Sequence, residues 1–308
     1  MVNPRSRQGG SAIGGGLLTQ VRATLEEGGI RLVECVLAPG ASLSDIIRQR
    51  AADCDLVIVG GGDGTLNSAA LGLADTALPL GVLPLGTAND FARTLSIPAD
   101  PVAAARLIVT GTPRPVDLGD VNGHPFLNVA SIGFSAELAR ELTAEAKRRW
   151  GVLGYAVTAL RLLVQSRLFT AYIEHDGTIE AVHTLQVSVG NGRYYGGGMT
   201  VAETATADDG ALDFYSLEVP HWWHLLRLLP SLRRGTQSRW KDVRAFRTTQ
   251  VVIRTRRPRA VNTDGELTTW TPAHFRILPG VLRVYAPPGL PSGGGIARHI
   301  LAFSTSRE

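Results

Sequence analysis

Cysteine and long apolar runs are scarce in this sequence, and each scarcity excludes a class of protein. The two cysteines, Cys35 and Cys54, have no paired spacing and no histidine nearby. A disulfide framework or a zinc site is therefore not expected. The expected location is the reducing environment of the cytosol. No apolar run reaches the roughly 18 to 20 residues that a membrane-spanning helix needs. The N-terminus shows no basic segment followed by an apolar core, so the sequence predicts a cytoplasmic protein without a secretory signal.

Lysine is absent from residues 1–115, and positive charge is concentrated in residues 221–259. Residues 1–115 contain 9 Arg and no Lys against 10 Asp and Glu, whereas residues 221–259 contain 11 Arg and Lys against one acid, Asp242. This asymmetry is typical of a protein with an anionic partner, such as nucleic acid, a phospholipid surface or phosphate groups. A solvated basic face explains it equally well.

The first half alternates apolar runs with helical patterns. Strands are predicted at 30–37, 55–59 and 78–85, and helices at 16–29, 42–54, from about 65 onward, and 101–109. The apolar runs are continuous, which is typical of a parallel sheet with helices on both faces. The sequence therefore predicts an α/β domain over residues 1–115, with ligands at the carboxyl ends of its strands.

From about Asp117 the pattern changes to short strands separated by turn signals such as NG, DDG and PG. Strands are predicted at 170–176, 183–191, 211–219, 249–255, 260–266, 274–280 and 281–287, and helical stretches at 135–166 and 220–235. This composition predicts a mostly-β sandwich over residues 116–290. Residues 291–308 are expected to form a C-terminal tail.

One glycine-rich loop follows the predicted strand at 55–59, in the stretch LVIVGGGDGTLN. A P-loop requires a lysine, and none occurs before Lys147, so that class of nucleotide site is excluded. The Rossmann fingerprint is not met either, because Asn67 stands where its last glycine would be. An acid such as Asp63 inside a phosphate-facing loop is explained if a Mg²⁺ ion lies between the two. The alternative is a tight turn between a strand and a helix.

A second loop of the same kind follows the next predicted strand, in the stretch GTANDFART. It carries Thr87, Asn89, Asp90 and Arg93. Two such loops at the ends of neighbouring strands are expected to line one cleft. The segment is also a good cap for the helix that follows, and both descriptions can hold for the same residues.

These motifs occur together with VDLG, FLNVASIGFSA, VGNGRYYGGGM and a late NTDGE, in that order. The set resembles the diacylglycerol kinase catalytic-domain family in its bacterial lipid kinase branch, over about residues 2 to 285. The resemblance implies a nucleotide-binding α/β domain, a β-sandwich domain and a cleft between them that binds ATP and Mg²⁺. The residues that it assigns to ATP are Asn3, Gly61, Gly62, Asp63, Gly64, Thr65, Leu66, Asn67, Gly86, Thr87 and Asn89.

The late NTDGE motif carries the implied catalytic acids. Transfer of a phosphoryl group to an alcohol needs a group that accepts the hydroxyl proton. Asp264 matches the family's proton acceptor, with Glu266 beside it. In an extended segment the Asp-Gly-Glu spacing places both carboxylates on one face. The alternative is a hairpin turn, since DG is a strong turn signal.

The resemblance also implies two metal sites. Asp63, Asp90 and Asp117 match the aspartates that organise Mg²⁺ in the family. A further metal is expected at Asp209, with the carbonyl groups of Thr206 and Ala211, in the stretch ATADDGALDF. A DDG turn without a metal fits that stretch as well.

The stretch PHWWHLLRLLPSLRRGTQSRWK combines Trp222, Trp223 and several leucines with a cationic end. It suits a helix at a membrane surface, with arginines on anionic phosphates, and equally an amphipathic helix packed on the sandwich. The resemblance implies a lipid kinase at the inner face of the membrane, acting on diacylglycerol or phosphatidylglycerol. A sphingoid-base kinase, a soluble NAD kinase and a nucleic-acid binder are the alternatives, of which the last leaves both loops unexplained. Whether the enzyme forms a homodimer is left open.

Overall fold

The computed structural model describes residues 12–35, 41–141, 161–164, 166–221 and 223–288. The helices are α1 Ala12–Glu27, α2 Leu43–Arg50, α3 Asp63–Leu73, α4 Asp90–Thr94, α5 Pro101–Thr110, α6 Phe134–Glu141 and α7 His224–Arg234. The first eight strands are β1 Val57–Gly61, β2 Leu80–Pro84, β3 Pro113–Val121, β4 His124–Phe126, β5 Val129–Gly133, β6 Phe169–His175, β7 Thr178–Thr184 and β8 Gln186–Gly190. The others are β9 Tyr194–Tyr195, β10 Met199–Thr200, β11 Leu212–Leu217, β12 Val243–Thr248, β13 Gln250–Thr255, β14 Ala260–Thr263, β15 Glu266–Trp270 and β16 Ala273–Tyr285.

The helices of the first half begin and end where local chemistry predicts. The hydroxyl of Ser42 accepts a hydrogen bond from the backbone N–H of Asp45 and caps α2. Asp100 caps α5 in the same way, and Pro101 occupies its first turn. α1 ends before a glycine pair, of which Gly29 has a φ of 83°. α1 packs on α5, α2 packs on α3, and these helix pairs cover β2 and β1.

The first sheet is mixed, where the sequence predicted a parallel one. β1 and β2 are parallel, as expected. β16 joins them, with Val284 opposite Leu80 and parallel to β2, but it runs antiparallel to β3 and β13. The difference arises because the last strand returns to the first half. Leu282, Val284 and Ala286 are buried in the same apolar core as β1, β2 and α3, so that core extends beyond residue 115.

The second half forms a sandwich, as predicted. One of its layers is the far end of the first sheet, where β16, β13, β6 and β7 are neighbours. The other is an antiparallel sheet in the order β12-β11-β8-β5-β14-β15. Residues from both layers form one buried core, which includes Ile132, Phe214 and Ile253. The outer face of the second layer is covered by α7 through Leu225, Leu228 and Leu232.

Three sequence predictions of local structure were wrong. Residues 30–35 form no strand, because Ile30 and Leu32 pack on the core while Val33 stays exposed and no ladder partner is present among the described residues. The strands predicted at 274–280 and 281–287 form one long strand, β16, whose register shifts between Leu278 and Leu282, where Gly280 has a φ of 62°. The strand predicted at 260–266 ends at Thr263, because Asp264 and Gly265 form a turn between β14 and β15.

In the described part of the chain, no helix combines the length and the apolar composition needed to cross a membrane. Residues 291–308, which were predicted to be a tail, lie outside the described residues, as do Asn3 and Trp222.

Candidate active site

The two glycine-rich loops meet at the carboxyl ends of β1 and β2. β1 ends at Gly61, and Gly62 caps the first turn of α3. Gly86 follows β2, and a Cβ atom placed on Gly62 would lie 3.2 Å from the Cα atom of Gly86. The loops therefore touch backbone to backbone, which only glycine permits. The backbone N–H of Leu85 also donates to the carbonyl of Gly61 at 3.1 Å.

Asp63 ties the two loops together. It stands in the first turn of α3, and its Oδ1 accepts a hydrogen bond from the backbone N–H of Phe91 at 3.0 Å. Asn89 closes the second loop, because its side chain both accepts from the N–H of Gly86 at 2.9 Å and donates to the Gly86 carbonyl at 3.1 Å. Asn89 adopts a left-handed conformation with a φ of 51°. Its predicted contact with ATP thus competes with a structural role in its own loop.

The other residues assigned to ATP divide into buried and accessible groups. Leu66 is fully buried in the first core, so its backbone alone could face a ligand. The side chain of Asn67 is buried, and its Oδ1 has no hydrogen-bond partner in the described structure. Thr87 and Gly64 are exposed. A buried polar atom without a partner is uncommon and marks a place where a ligand or water completes the bonding.

Asp90 lies beside Asp63 at the start of α4. Its Oδ2 accepts from the backbone N–H of Gly197 at 2.8 Å, and its Oδ1 lies 3.3 Å from a guanidinium nitrogen of Arg93. Burial raises the pKa of Asp90 above its usual value, and the neighbouring carboxylate of Asp63 raises it further. Because the charge of Asp63 disfavours the charged form of Asp90, a cation next to the two side chains is favourable.

The predicted catalytic acids sit on a two-residue turn. Asp264 and Gly265 have φ values of 49° and 101°, as the tight hairpin turns with positive φ at both positions require. The carboxylate of Asp264 accepts three backbone hydrogen bonds, from Leu127 at 2.7 Å and from Asn128 and Val129 at 3.0 Å each. These bonds attach the turn to the segment before β5. Glu266, the first residue of β15, is exposed, and its carboxylate makes no hydrogen bond or ion pair with the described residues.

The pKa of Asp264 depends on its burial and on a charge in the first glycine loop. Burial raises its pKa to about 6, the three backbone donors oppose this, and the negative charge of Asp63 adds to the rise. The turn and the loop come from opposite ends of the chain, and the fold brings their carboxylates within electrostatic reach of each other. Asp63 thus acts through its charge on both Asp90 and Asp264, and these three carboxylates are called the acidic wall below.

Asp117 contacts the DDG loop, and its part in a Mg²⁺ site stays a prediction. Its carboxylate accepts from the backbone N–H groups of Gly210 at 2.7 Å and Gly280 at 2.8 Å. Burial raises the pKa of Asp117, and Asp209 and Asp208 raise it further. Asp117 is therefore joined to the DDG loop, and Asp63 acts on Asp90.

An arginine side chain, Arg247, already pairs with Asp209 in the DDG loop. Asp209 Oδ2 accepts from the hydroxyl of Thr206 at 3.0 Å and lies 2.6 Å from a guanidinium nitrogen of Arg247. The backbone N–H of Ala211 donates to Asp209 Oδ1 at 3.1 Å. Arg247 also lies 3.5 Å from Asp213, whose pKa is raised to about 6 mainly by burial. A metal at Asp209 would compete with this guanidinium.

No group of three or more histidine, cysteine or acidic side chains is arranged to hold a metal within the described ranges. The pair Asp63 and Asp90 nevertheless suits Mg²⁺ that arrives with a nucleotide, because this ion binds one or two carboxylates and takes its other ligands from phosphate and water. The donor chemistry of the two loops thus fits Mg·ATP better than a free metal ion.

Two features of the site had no counterpart in the sequence analysis. One is the backbone of residues 127–129, which holds Asp264. The other is the pair Arg93 and Arg193, whose guanidinium carbons lie 4.3 and 5.5 Å from the ring centre of Tyr194. The stretch VGNGRYYGGGM contained Arg193, but nothing in the sequence indicates that this segment packs on α4.

Two family models match the chain. The model described as the diacylglycerol kinase catalytic domain matches residues 1–121. The model described as the YegS C-terminal NAD kinase beta sandwich-like domain matches residues 128–286.

Curated relatives cover most of the chain. A protein of Pseudomonas fluorescens (strain Pf-5), named "Probable lipid kinase YegS-like", is 37% identical over 281 residues, which are 90% of this chain and 88% of the relative. The diacylglycerol kinase of Bacillus subtilis (strain 168) is 32% identical over 72% of this chain and 74% of its own.

Two crystal structures of proteins from Bacillus anthracis str. Sterne share the fold over 93% of the chain. One, described as a diacylglycerol kinase, has 25% identity and a TM-score of 0.72 with 95% of its own chain covered. The other has 29% identity and a TM-score of 0.80 over 94% of its chain. These matches agree with the family that the sequence motifs predicted.

Proposed function

The chain belongs to the diacylglycerol kinase family and is a kinase of its bacterial lipid kinase branch, and from that premise we propose that it transfers the γ-phosphoryl group of Mg·ATP to a hydroxyl of a membrane lipid. Diacylglycerol or phosphatidylglycerol is the proposed acceptor, since both present a hydroxyl at the bilayer surface. The observation that carries the proposal is the acidic wall: Asp63 joins the two glycine-rich loops through the N–H of Phe91, and its charge raises the pKa of Asp264 on the distant turn.

The first two loops are proposed to hold the nucleotide. Their glycines allow the backbone to approach phosphate oxygens, and the start of α3 presents N–H groups there. Asp63 and Asp90 would hold Mg²⁺, which neutralises charge on the phosphates when it is bound. The buried Oδ1 of Asn67 would accept a hydrogen bond from the nucleotide or from a bound water.

The turn 264–266 is proposed to supply the proton acceptor, with its two acids in different roles. Asp264 uses three of its four acceptor positions on backbone N–H groups, so it fixes the turn against residues 127–129. Glu266 is exposed, and its carboxylate is unengaged among the described residues. We therefore assign proton acceptance to Glu266 and positioning to Asp264. The resemblance favoured Asp264 for the first role, and its pKa of about 6 and its one unused acceptor position keep it the rival.

Membrane contact is proposed for the outer face of α7 and the residue before it. Trp223, Leu226 and Leu229 are 40, 53 and 39% exposed, although the opposite face of the helix is buried. The guanidinium of Arg227 lies 5.1 Å from the Trp223 ring, and Arg233 and Arg234 are exposed in the last turn. Residues 221–241 contain no acid. An anionic bilayer complements this combination of apolar and cationic groups.

A lipid panel with labelled ATP tests the activity. Diacylglycerol, phosphatidylglycerol and a sphingoid base would be presented in mixed micelles, and NAD would be offered in solution. We expect Mg²⁺-dependent transfer to a glycerolipid and none to NAD. Phosphorylation of NAD alone would refute the proposal.

The roles on the turn are separated by Glu266→Gln. We expect turnover to fall by at least ~100-fold, with nucleotide affinity and folded stability unchanged. Turnover close to that of the wild type would return proton acceptance to Asp264.

Membrane contact is tested with Leu226→Ser/Leu229→Ser in a co-sedimentation assay. Vesicles would contain phosphatidylcholine alone or with phosphatidylglycerol, and we expect the variant to lose binding to the anionic vesicles. The matched control is Ile179→Ser, an exposed apolar residue on β7. Equal binding by all three proteins would exclude this face.

A further inference from the structure

A buried, unpaired part of an arginine lies between the nucleotide loops and the acidic turn. Arg193 follows β8, and its Nε is inaccessible to solvent yet donates no hydrogen bond in the described structure. Within the described residues, Arg193 forms no ion pair: no carboxylate oxygen lies within 4.0 Å of its guanidinium nitrogens, whereas Arg93 and Arg247 each have such a partner. Arg193 as a whole is half-buried, so only its Nε–H is a buried donor without a partner. A ligand or a water molecule would complete its bonding, and an anionic ligand is the favourable partner for a guanidinium.

The backbone around Arg193 connects both sides of the candidate active site. The N–H groups of Asn191 and Gly192 donate to the carbonyl of Asn128 at 2.9 and 3.2 Å. The N–H of Asn128 in turn donates to the carboxylate of Asp264. On the other side, the N–H of Tyr194 donates to the hydroxyl of Thr94, at the end of α4, at 3.2 Å. The backbone on either side of Arg193 is therefore hydrogen-bonded to the segment that holds Asp264 and to the helix that begins at Asp90.

A second arginine shares the same aromatic ring. The guanidinium carbon of Arg93 lies 4.3 Å from the centre of the Tyr194 ring, and that of Arg193 lies 5.5 Å from it. Arg93 has one carboxylate partner, Asp90 at 3.3 Å. Two guanidinium groups on one ring repel each other, and stacking on an aromatic face limits their motion. An anion with several oxygens would satisfy both.

We propose that Arg193 and Arg93, stacked on Tyr194, form a phosphate-binding subsite between Asp90 and the turn 264–266. Guanidinium groups bind phosphate oxygens in a bidentate manner, and phosphoryl-transfer enzymes commonly neutralise the transferred group with such a cation. The glycine loop lacks the lysine that a P-loop would use, and this pair supplies the positive charge instead. The proposal rests on the proposed kinase activity for its setting.

Phosphate oxygens can reach this subsite from two sources, namely the γ-phosphate of ATP and the phosphodiester of a phospholipid acceptor. If the subsite binds the γ-phosphate of ATP, Arg193→Gln should lower the affinity for the analogue AMP-PNP relative to ADP. If it binds the phosphodiester of the lipid, the variant should raise the KM for phosphatidylglycerol relative to that for diacylglycerol. A change of ~10-fold in either ratio is expected for the loss of a charge-assisted hydrogen bond.

Isothermal titration with AMP-PNP and ADP, followed by kinetics on both lipids, measures the two ratios. Arg193→Lys should recover part of the loss, because it restores charge without the bidentate fork. Arg93→Gln is a second variant at an exposed position, and it should act in the same direction. Arg254→Gln, on the exposed side of β13, is the control and should change neither ratio.

Both ratios staying within twofold of the wild type in a folded Arg193→Gln protein would overturn the subsite. If neither lipid is phosphorylated by the wild type, the proposed lipid acceptors fail. The binding ratio then decides the subsite by itself, since it needs no turnover.

Discussion

Gly62 and Gly86 lie so close that a Cβ atom on Gly86 would come within 2.4 Å of the Cα atom of Gly62. The same Cβ atom would lie 2.7 Å from Oδ1 of Asn89, the atom that closes the second loop. The two loops that line the candidate nucleotide site are thus positioned by the absence of side chains. Any substitution there has to move backbone.

Gly86→Ala is therefore expected to separate the loops. Overpacking of this kind costs about 1–3 kcal/mol of folding free energy, and the affinity for Mg·ATP should fall with it. Urea unfolding and nucleotide titration measure the two effects. Gly64→Ala is the matched control for stability, because a Cβ atom there meets nothing within 4 Å and alanine favours the helix by up to ~1 kcal/mol. Equal stability of Gly86→Ala and the wild type would contradict the close approach.

Asp63→Asn is expected to weaken binding of Mg·ATP by ~10-fold or more without weakening binding of ATP in the absence of Mg²⁺. The asparagine oxygen can still accept from Phe91, so the loops stay joined, but the charge that attracts the metal is lost. Titrations with and without Mg²⁺ separate the two effects, and Asp53→Asn, at an exposed site, is the control. An equal loss of affinity in both titrations would indicate a structural defect instead.

The same Asp63→Asn substitution should lower the pKa of Asp264 from about 6, because the charge of Asp63 raises it. Carboxyl carbon shifts followed by NMR across the pH range would report this directly. A pKa of Asp264 that does not change would mean that the two carboxylates are not in electrostatic contact.

Asp264→Asn is expected to cost about 1–3 kcal/mol of stability. An asparagine side chain has one oxygen for three backbone donors, and its NH₂ group would face at least one of them. Chemical denaturation measures the loss, with Glu266→Gln as the neighbouring control, because Glu266 is exposed. An Asp264→Asn protein as stable as the wild type would show that the turn is held by other contacts.

Asp213 should make stability depend on pH. Its pKa is raised to about 6 in the folded state from 3.8, so the folded protein favours the protonated carboxyl. The stability that this group contributes is complete below about pH 4 and is lost as the pH rises through about 6. Relative to Asp213→Asn, the wild type should thus lose about 3 kcal/mol between these values, since the pKa difference is about 2 units. Thermal unfolding of both proteins from pH 4 to pH 7 tests this, and Asp75→Asn, on the surface, should show no such trend.

The sequence predicted the part of the site that depends on local pattern. Continuous apolar runs ending in glycine identified β1 and β2, and each acid after them had to lie at the same edge of the sheet. Asp63 and Asp90 accordingly lie together. The family and the two-part architecture followed from the same motifs.

Contacts between distant segments were beyond the reach of the sequence. The DG pair of the NTDGE motif forms a turn, and the alternation expected of an extended segment does not apply to Asp264 and Glu266. The segment that holds Asp264 through backbone donors shows no side-chain signal for that role. Arg193 becomes notable only because Tyr194 packs beside Arg93, a hundred positions earlier in the chain. The segment predicted as a strand at 30–37 shows a related limit, since its described part, residues 30–35, has no ladder partner among the described residues.

The return of β16 to the first sheet has a consequence for the order in which the protein can be made. Val284 pairs beside Leu80, and both are fully buried in one core. During synthesis, the edge of β2 is covered only after β16, which lies about two hundred residues later in the chain, has been made. A ribosome that stalls before residue 282 would leave that edge of β2 without its partner strand and open to pairing with other nascent chains.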